Sequence, residues 1–195
     1  MQIGALLPYK QKDENKVDKK KFLVIAVYVG LQSFLLQLLD QLIGRCLVNG
    51  GTKGFVFIAF QAWALYFLLG NSLKGAAKGF CGYILGIVFA VIMSAGANVF
   101  SWMGILAVPV TALIVVPVMM YFEFAPWCIS NVAVFFVGAG AYYGILNYVD
   151  GISAVQAAGI VMLYCVLGLS SGFMTILFRT RFERKIKSLK KEEKK

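Results

Sequence analysis

The chain has 195 residues, 60% of them hydrophobic, a mean hydropathy of +0.79 and a net charge of +10. Residues 22 to 178 hold only seven formal charges: Asp40, Arg45, Lys53, Lys74, Lys78, Glu123 and Asp150. A stretch that long and that poor in charge excludes an ordinary water-soluble domain and points to a chain dissolved in a bilayer.

The first 21 residues form a basic leader, with six lysines against Asp13, Glu14 and Asp18. The first apolar run starts only at Phe22 and is long enough to span, so a cleaved signal peptide is not expected. Six runs, separated by Gly, Pro, Asn and charge, approach the ~20 residues a helix needs to cross the hydrocarbon. They cover roughly 22–44, 54–70, 79–98, 102–122, 127–147 and 154–178. The runs lack dyad alternation, which argues for helices rather than a transmembrane barrel. The expected fold is all-α: a polytopic membrane bundle of six transmembrane helices (22–178) between a cytoplasmic leader and a cytoplasmic basic tail (179–195). Four crossings is the competing count, should the fourth or fifth segment be re-entrant.

The first span carries Gln37, Asp40, Gln41 and Gly44 at i, i+3, i+4 and i+7, one polar face expected to turn inward or toward an aqueous vestibule. Asp40 has a simpler alternative, an ion pair with Arg45 in the interface. Gln61 falls mid-way along the second span, where a bare amide would cost several kcal/mol. It is expected either to bond another helix or to line a polar path. Lys74, Lys78 and Glu123 fall in cytoplasmic loops; Arg45 and Lys53 fall outside.

Glycines at small-xxx-small spacing (Gly75–Gly79, Gly82–Gly86, Gly140–Gly144 and Gly168–Gly172) are the expected helix-packing contacts, within the chain or between subunits of a homo-oligomer. Pro109 and Pro117 interrupt the fourth segment, and Pro126 opens the fifth, followed by Ser130 and Asn131. Mid-helix proline frees a carbonyl that something else must satisfy, and broken helices are how many transporters build solute sites. Ala62–Phe67 in the second span is echoed by Ala139–Gly144 in the fifth at an offset of 77. Halves of three spans each would then form a 3+3 inverted repeat. The last helix continues into the tail with Phe178, Phe182, Ile186 and Leu189 on one stripe, an amphipathic extension suited to a leaflet surface.

Several features together resemble the bacterial inner-membrane family known as domain of unknown function 1097. They are Tyr66-Phe67, Leu73-Lys74-Gly75, Phe124-x-Pro126, Phe136-Val137-Gly138-Ala139-x-Ala141, and Leu167-Gly168-x-x-x-Gly172 before a basic tail. The resemblance spans about residues 50 to 185 and implies no activity and no site residues. The chain departs from it in a longer leader and in Asn71-Ser72, where a Pro-Gly-type turn is expected.

Function is therefore read from the residues. By the positive-inside rule both basic tails are expected on the cytoplasmic side, with anionic lipids beside them, and the resemblance implies a bacterial cytoplasmic (inner) membrane. No nucleic-acid motif accompanies the charge. The candidate path-lining residues are Gln37, Asp40, Gln41, Gln61 and Asn131, for a channel or secondary-transport route for a small polar solute. The alternative is a scaffold or accessory subunit that docks a soluble partner through its tails. A polar cleft reaching Gln61 favours the first, a dry bundle the second. With no histidine, four scattered cysteines (46, 81, 128, 165) and no paired intramembrane carboxylates, no enzyme, no metal site and no cofactor are expected.

Overall fold

The computed structural model describes residues 19–47 and 54–192; the leader to residue 18 and Lys53 lie outside the described residues, as do the side chains of Arg45, Cys46 and Leu189. The described residues form six α-helices and two 3-10 segments. They are α1 (Lys19–Leu47), α2 (Val56–Leu68), α3 (Leu73–Val99), a 3-10 turn (Ser101–Leu106), α4 (Ala107–Met120), a second 3-10 turn (Tyr121–Phe124), α5 (Val132–Tyr148) and α6 (Ala154–Glu192). Helix is what an apolar solvent demands, because every backbone N–H and C=O must then be satisfied inside its own segment.

Four stretches are long and apolar enough to cross a membrane: Phe22–Gly44, Leu73–Val99, Ser101–Phe124 and Ala154–Ile186. The other two helices are short. With 13 residues α2 measures about 20 Å, and with 17 residues α5 measures about 26 Å, against a hydrocarbon core of about 30 Å. The chain is a multi-pass helical membrane protein with four full-length apolar stretches and two shorter apolar helices packed among them.

Local chemistry explains where the helices depart from the expected boundaries. After α2, Gly70 (φ 92°) and Asn71 (φ 54°) reverse the chain in the left-handed region. The Asn71 N–H reaches back to Tyr66 O at 3.2 Å, and Ser72 Oγ accepts from Gly75 N at 3.0 Å. Asn for the left-handed position and Ser for the N-cap thus replace the expected Pro-Gly-type turn. They start α3 six residues earlier than the apolar run suggests, so Lys74 and Lys78 belong to its first two turns rather than to a loop. Glu123 likewise sits in the 3-10 turn after α4. Reciprocal bonds cap α6: Gln156 N donates to Ser153 Oγ (3.2 Å) and Ser153 N to Gln156 Oε1 (3.1 Å). The helix then runs unbroken past residue 178 to Glu192, with no break where the tail was expected to begin.

The prolines need correction. Pro109 lies in the first turn of α4, where its missing N–H costs nothing, and Pro126 lies in the loop six residues before α5 begins. Of the three, Pro117 alone is in a helix interior, near the end of α4, where the chain tightens into 3-10 geometry. The sharp break of this region comes instead at Gly104 (φ 58°, ψ −122°).

The core sits between two helix pairs, with α2 packed most extensively on α6 and α5 on α3. At Gly168 a Cβ would run into Ala59 O of α2, and at Gly86 into Phe135 O of α5, so both pairs approach at backbone distance. Gly75, Gly79, Gly82 and Gly172 are also closely packed, but Gly140 and Gly144 meet nothing within 4 Å. These last two therefore make no such contact among the described residues. Five of the six buried positions of α2 (Ile58, Ala59, Ala62, Leu65 and Tyr66, but not Trp63) recur on α5 as Val134, Phe135, Gly138, Ala141 and Tyr142, each 76 residues later. The register is one residue from the sequence echo, because burial follows the packed face and the echo followed alanine content.

Candidate functional site

Helix α1 stands at the edge of the bundle: 6% of its apolar window is buried, against 44% for α6. Half of what it does bury is polar. Gln32, Leu36, Asp40 and Gly44 recur every fourth residue and form its inward stripe. Asp40, only 2% exposed, accepts from the Tyr164 hydroxyl of α6 at 2.5 Å and from the Phe55 N–H ahead of α2 at 2.8 Å. Gly54 lies hard against this carboxylate, where any Cβ would collide with it. Phe55 and Tyr164 meet edge to face at 6.0 Å, closing the site with apolar surface. Two turns along, Gln32 Nε2 donates to Ser171 O (3.3 Å) and its Oε1 accepts from Thr175 Oγ1 (2.7 Å). Near the other end of the seam Tyr28 stacks on Phe178 at 3.8 Å, and Phe178 on Phe182 at 5.9 Å. Part of the apolar stripe expected to lie on the leaflet therefore covers α1 instead.

Asp40 is thus inward, as its spacing suggests, while Gln37 and Gln41 are exposed. At 100° per residue they sit about 60° and 100° around the helix from Asp40, on the flank of the stripe rather than in it. Gln32 belongs to the stripe and the sequence reading missed it; the four-residue step back from Asp40 through Leu36 is the signal that finds it. Gln61 faces outward on α2 beside Ala64 and Leu68, so it lines no interior cleft. Asn131 is half-buried at the amino end of α5, without a side-chain cap bond. These five candidates do not come together; Asp40 alone holds a buried site.

A second polar feature lies in the core. The Tyr83 hydroxyl (α3) and the Trp63 indole N–H (α2) are buried and have no hydrogen-bond partner among the described residues. Both aromatic residues read as apolar in the sequence, which conceals the donors they carry. Nearby on the α3–α5 seam, Tyr143 donates to Ala90 O at 2.7 Å and receives from Ser94 at 3.3 Å. Among the described residues no three His, Cys, Asp or Glu gather that could hold a metal ion, and Cys81, Cys128 and Cys165 are free.

No curated protein and no solved structure matches the chain. One family model does, over residues 23–179. The match begins within α1, well before the residue 50 at which the sequence resemblance starts, so Gln32, Asp40, Tyr164 and Thr175 all lie in the matched region. It covers most of the chain and reaches all six helices, and the protein therefore belongs to the family described as protein of unknown function DUF1097.

Proposed function

We propose that the protein provides a channel or secondary-transport route for a small polar solute across a bacterial cytoplasmic membrane, with both termini cytoplasmic and no enzymatic chemistry of its own. The observation that carries this reading is the pair of bare donors, Tyr83 Oη–H and Trp63 Nε1–H, in the core. An unsatisfied buried donor costs about 1–3 kcal/mol, whereas a polar guest that dwells beside it removes the cost. A buried carboxylate within a membrane span, here Asp40, is a second functional signal. The parallel pairing of α2 with α6 and α5 with α3 supports a 3+3 inverted repeat, an architecture common among carriers. Gln61 has no part in such a route.

The test is flux in proteoliposomes over a panel of small amides, amines, acids and polyols. Tyr83→Phe should lower flux of the transported member with folding intact. If Tyr83→Phe instead raises stability and leaves flux unchanged, the hydroxyl serves no guest. Cysteine labelling at positions 188 and 151 tests the orientation: position 188 should stay unreactive from the periplasmic side of intact cells.

A second reading, a scaffold or accessory subunit, is favoured by the outward Gln61, the close apolar packing around the glycine seams, and the length of α6. At 39 residues that helix measures about 58 Å, roughly twice the hydrocarbon thickness, and its distal half is strongly basic. Wild-type flux no greater than that of empty liposomes, across the whole panel, would leave this reading standing.

A further inference from the structure

Where the α2–α3 turn meets α6 there is an open cleft of about 330 Å³. Its α6 wall changes character along the helix. Phe173, Ile176 and Leu177 come first, then Thr180, Arg181 and Arg184 one to two turns farther on. The opposite wall is Tyr66 with Asn71, Ser72 and Leu73, at the start of α3. The lining holds two guanidinium groups and no carboxylate. Glu183, the nearest acid on α6, is committed to Arg179 at 2.9 Å on another side of the helix. Among the described residues neither Arg181 nor Arg184 forms an ion pair. Lys74 follows the lining residue Leu73 in the first turn of α3 and adds a further positive charge to this end of the bundle.

The geometry points to a binding site for a phosphate-bearing anion, and specifically for the headgroup of an anionic phospholipid. Two arginines offer planar forks that match phosphate oxygens two at a time, which a single lysine does not. The opening turn of α3 adds backbone donors. Ser72 Oγ takes the Gly75 N–H and Ser72 O the Ala76 N–H, so the first turn of α3, whose Leu73 lines the cleft, presents the positive end of the helix dipole there. The apolar half of the α6 wall distinguishes a lipid from a soluble anion. Phe173 and Leu177 remain 39% and 36% exposed on the membrane side of the arginines, where acyl chains would lie against them. An amphiphile with phosphate at one end and hydrocarbon at the other matches this gradient; a free phosphate uses only half of it.

The experiment follows the thermal midpoint of the purified full-length protein in detergent as phosphatidylglycerol, phosphatidylcholine or inorganic phosphate is added at matched ionic strength. Phosphatidylglycerol should raise the midpoint with a half-saturating concentration about tenfold below that of phosphatidylcholine, and R181Q/R184Q should lose about tenfold in that affinity. The variant R179Q/K185Q removes the same charge outside the cleft and should stay close to wild type. All four positions are exposed, and equal midpoints without lipid would verify that both variants fold. Saturation by inorganic phosphate in wild type but not in R181Q/R184Q would support the site with a soluble anion as its source. Equal losses in the two double variants would reduce the effect to general tail charge and overturn the site. So would a response to phosphatidylcholine as strong as that to phosphatidylglycerol.

Discussion

The two kinds of seam in this bundle solve the same problem by opposite means. Where α2 meets α6 and α3 meets α5, glycines let backbones approach and apolar atoms interlock. Where α1 meets α6, the contact is made by an amide, a carboxylate, two hydroxyls and a pair of stacked rings. In lipid, apolar contact between helices gains little from solvent, so a helix joins a bundle either through close dispersion contact or through polar groups that have nowhere better to go. The glycine seams are dense and unforgiving of volume. The polar seam is sparse and sensitive to the loss of single atoms. These are separable expectations, and the variants below are ordered by the effect each should have.

Gly168→Leu should be the most damaging. A Cβ alone collides with the Ala59 carbonyl and lies 2.7 Å from Ala62 Cβ. Backbone cannot yield as a flexible side chain would, so the cost should reach about 3 kcal/mol, the upper end for overpacking. Gly172→Leu should follow, since its Cβ would lie 2.7 Å from Tyr66 Cβ. Unfolding midpoints in detergent measure both. An unchanged midpoint for either would mean that α2 and α6 are not held at backbone distance.

On the polar seam, Asp40→Ala removes the acceptor from both Tyr164 Oη–H and Phe55 N–H, and two stranded donors should cost about 2–3 kcal/mol. Asp40→Asn keeps an acceptor and should cost less. A double-mutant cycle with Tyr164→Phe should return a coupling of about 1 kcal/mol, and additivity would dissolve the contact. Thr175→Val is milder: interhelical bonds in membranes average about 0.6 kcal/mol, and Gln32 keeps Ser171 O as a partner.

Much of this was legible in advance, and what was not has physical reasons. Helical class, membrane solvent and the packing role of Gly82, Gly86, Gly168 and Gly172 follow from charge depletion and small-residue spacing, both of which survive folding. The polar face of α1 was placed one flank off because i, i+3, i+4 and i+7 fits any helix, and only a neighbour decides which fit is buried. Gln61 illustrates the same limit. A mid-helix amide announces that it needs an answer but not in which direction it looks. The places of Pro109 and Pro126 are not legible because apolar runs do not reveal where a helix starts, and α4 and α5 begin without a side-chain cap bond that would mark it. For α3 and α6, Ser72 and Ser153 carry that information at positions the hydropathy pattern passes over.

Gly140→Ala inverts the glycine prediction. No atom stands within 4 Å of a Cβ there, so the methyl group meets no resistance and the gain in helix propensity should stabilise by about 0.5–1 kcal/mol. Loss of stability in detergent at high protein concentration, absent on dilution, would instead reveal that this face packs against a second copy.

Gln61→Leu should have the smallest effect and separates two meanings of a polar residue in lipid. Had the amide bridged helices or lined a route, the change would cost about 1 kcal/mol of stability or alter flux. On the outer face of α2 it does neither, and replacing an amide by leucine improves the match to hydrocarbon. Stability should therefore hold or rise slightly, and flux of any transported solute should stay at the wild-type level. A clear loss of either would mean that Gln61 has a partner outside the chain. The outward face of α2 would then belong to an assembly, and the polar seam at α1 would not be the last place where this bundle spends polar groups on helix contact.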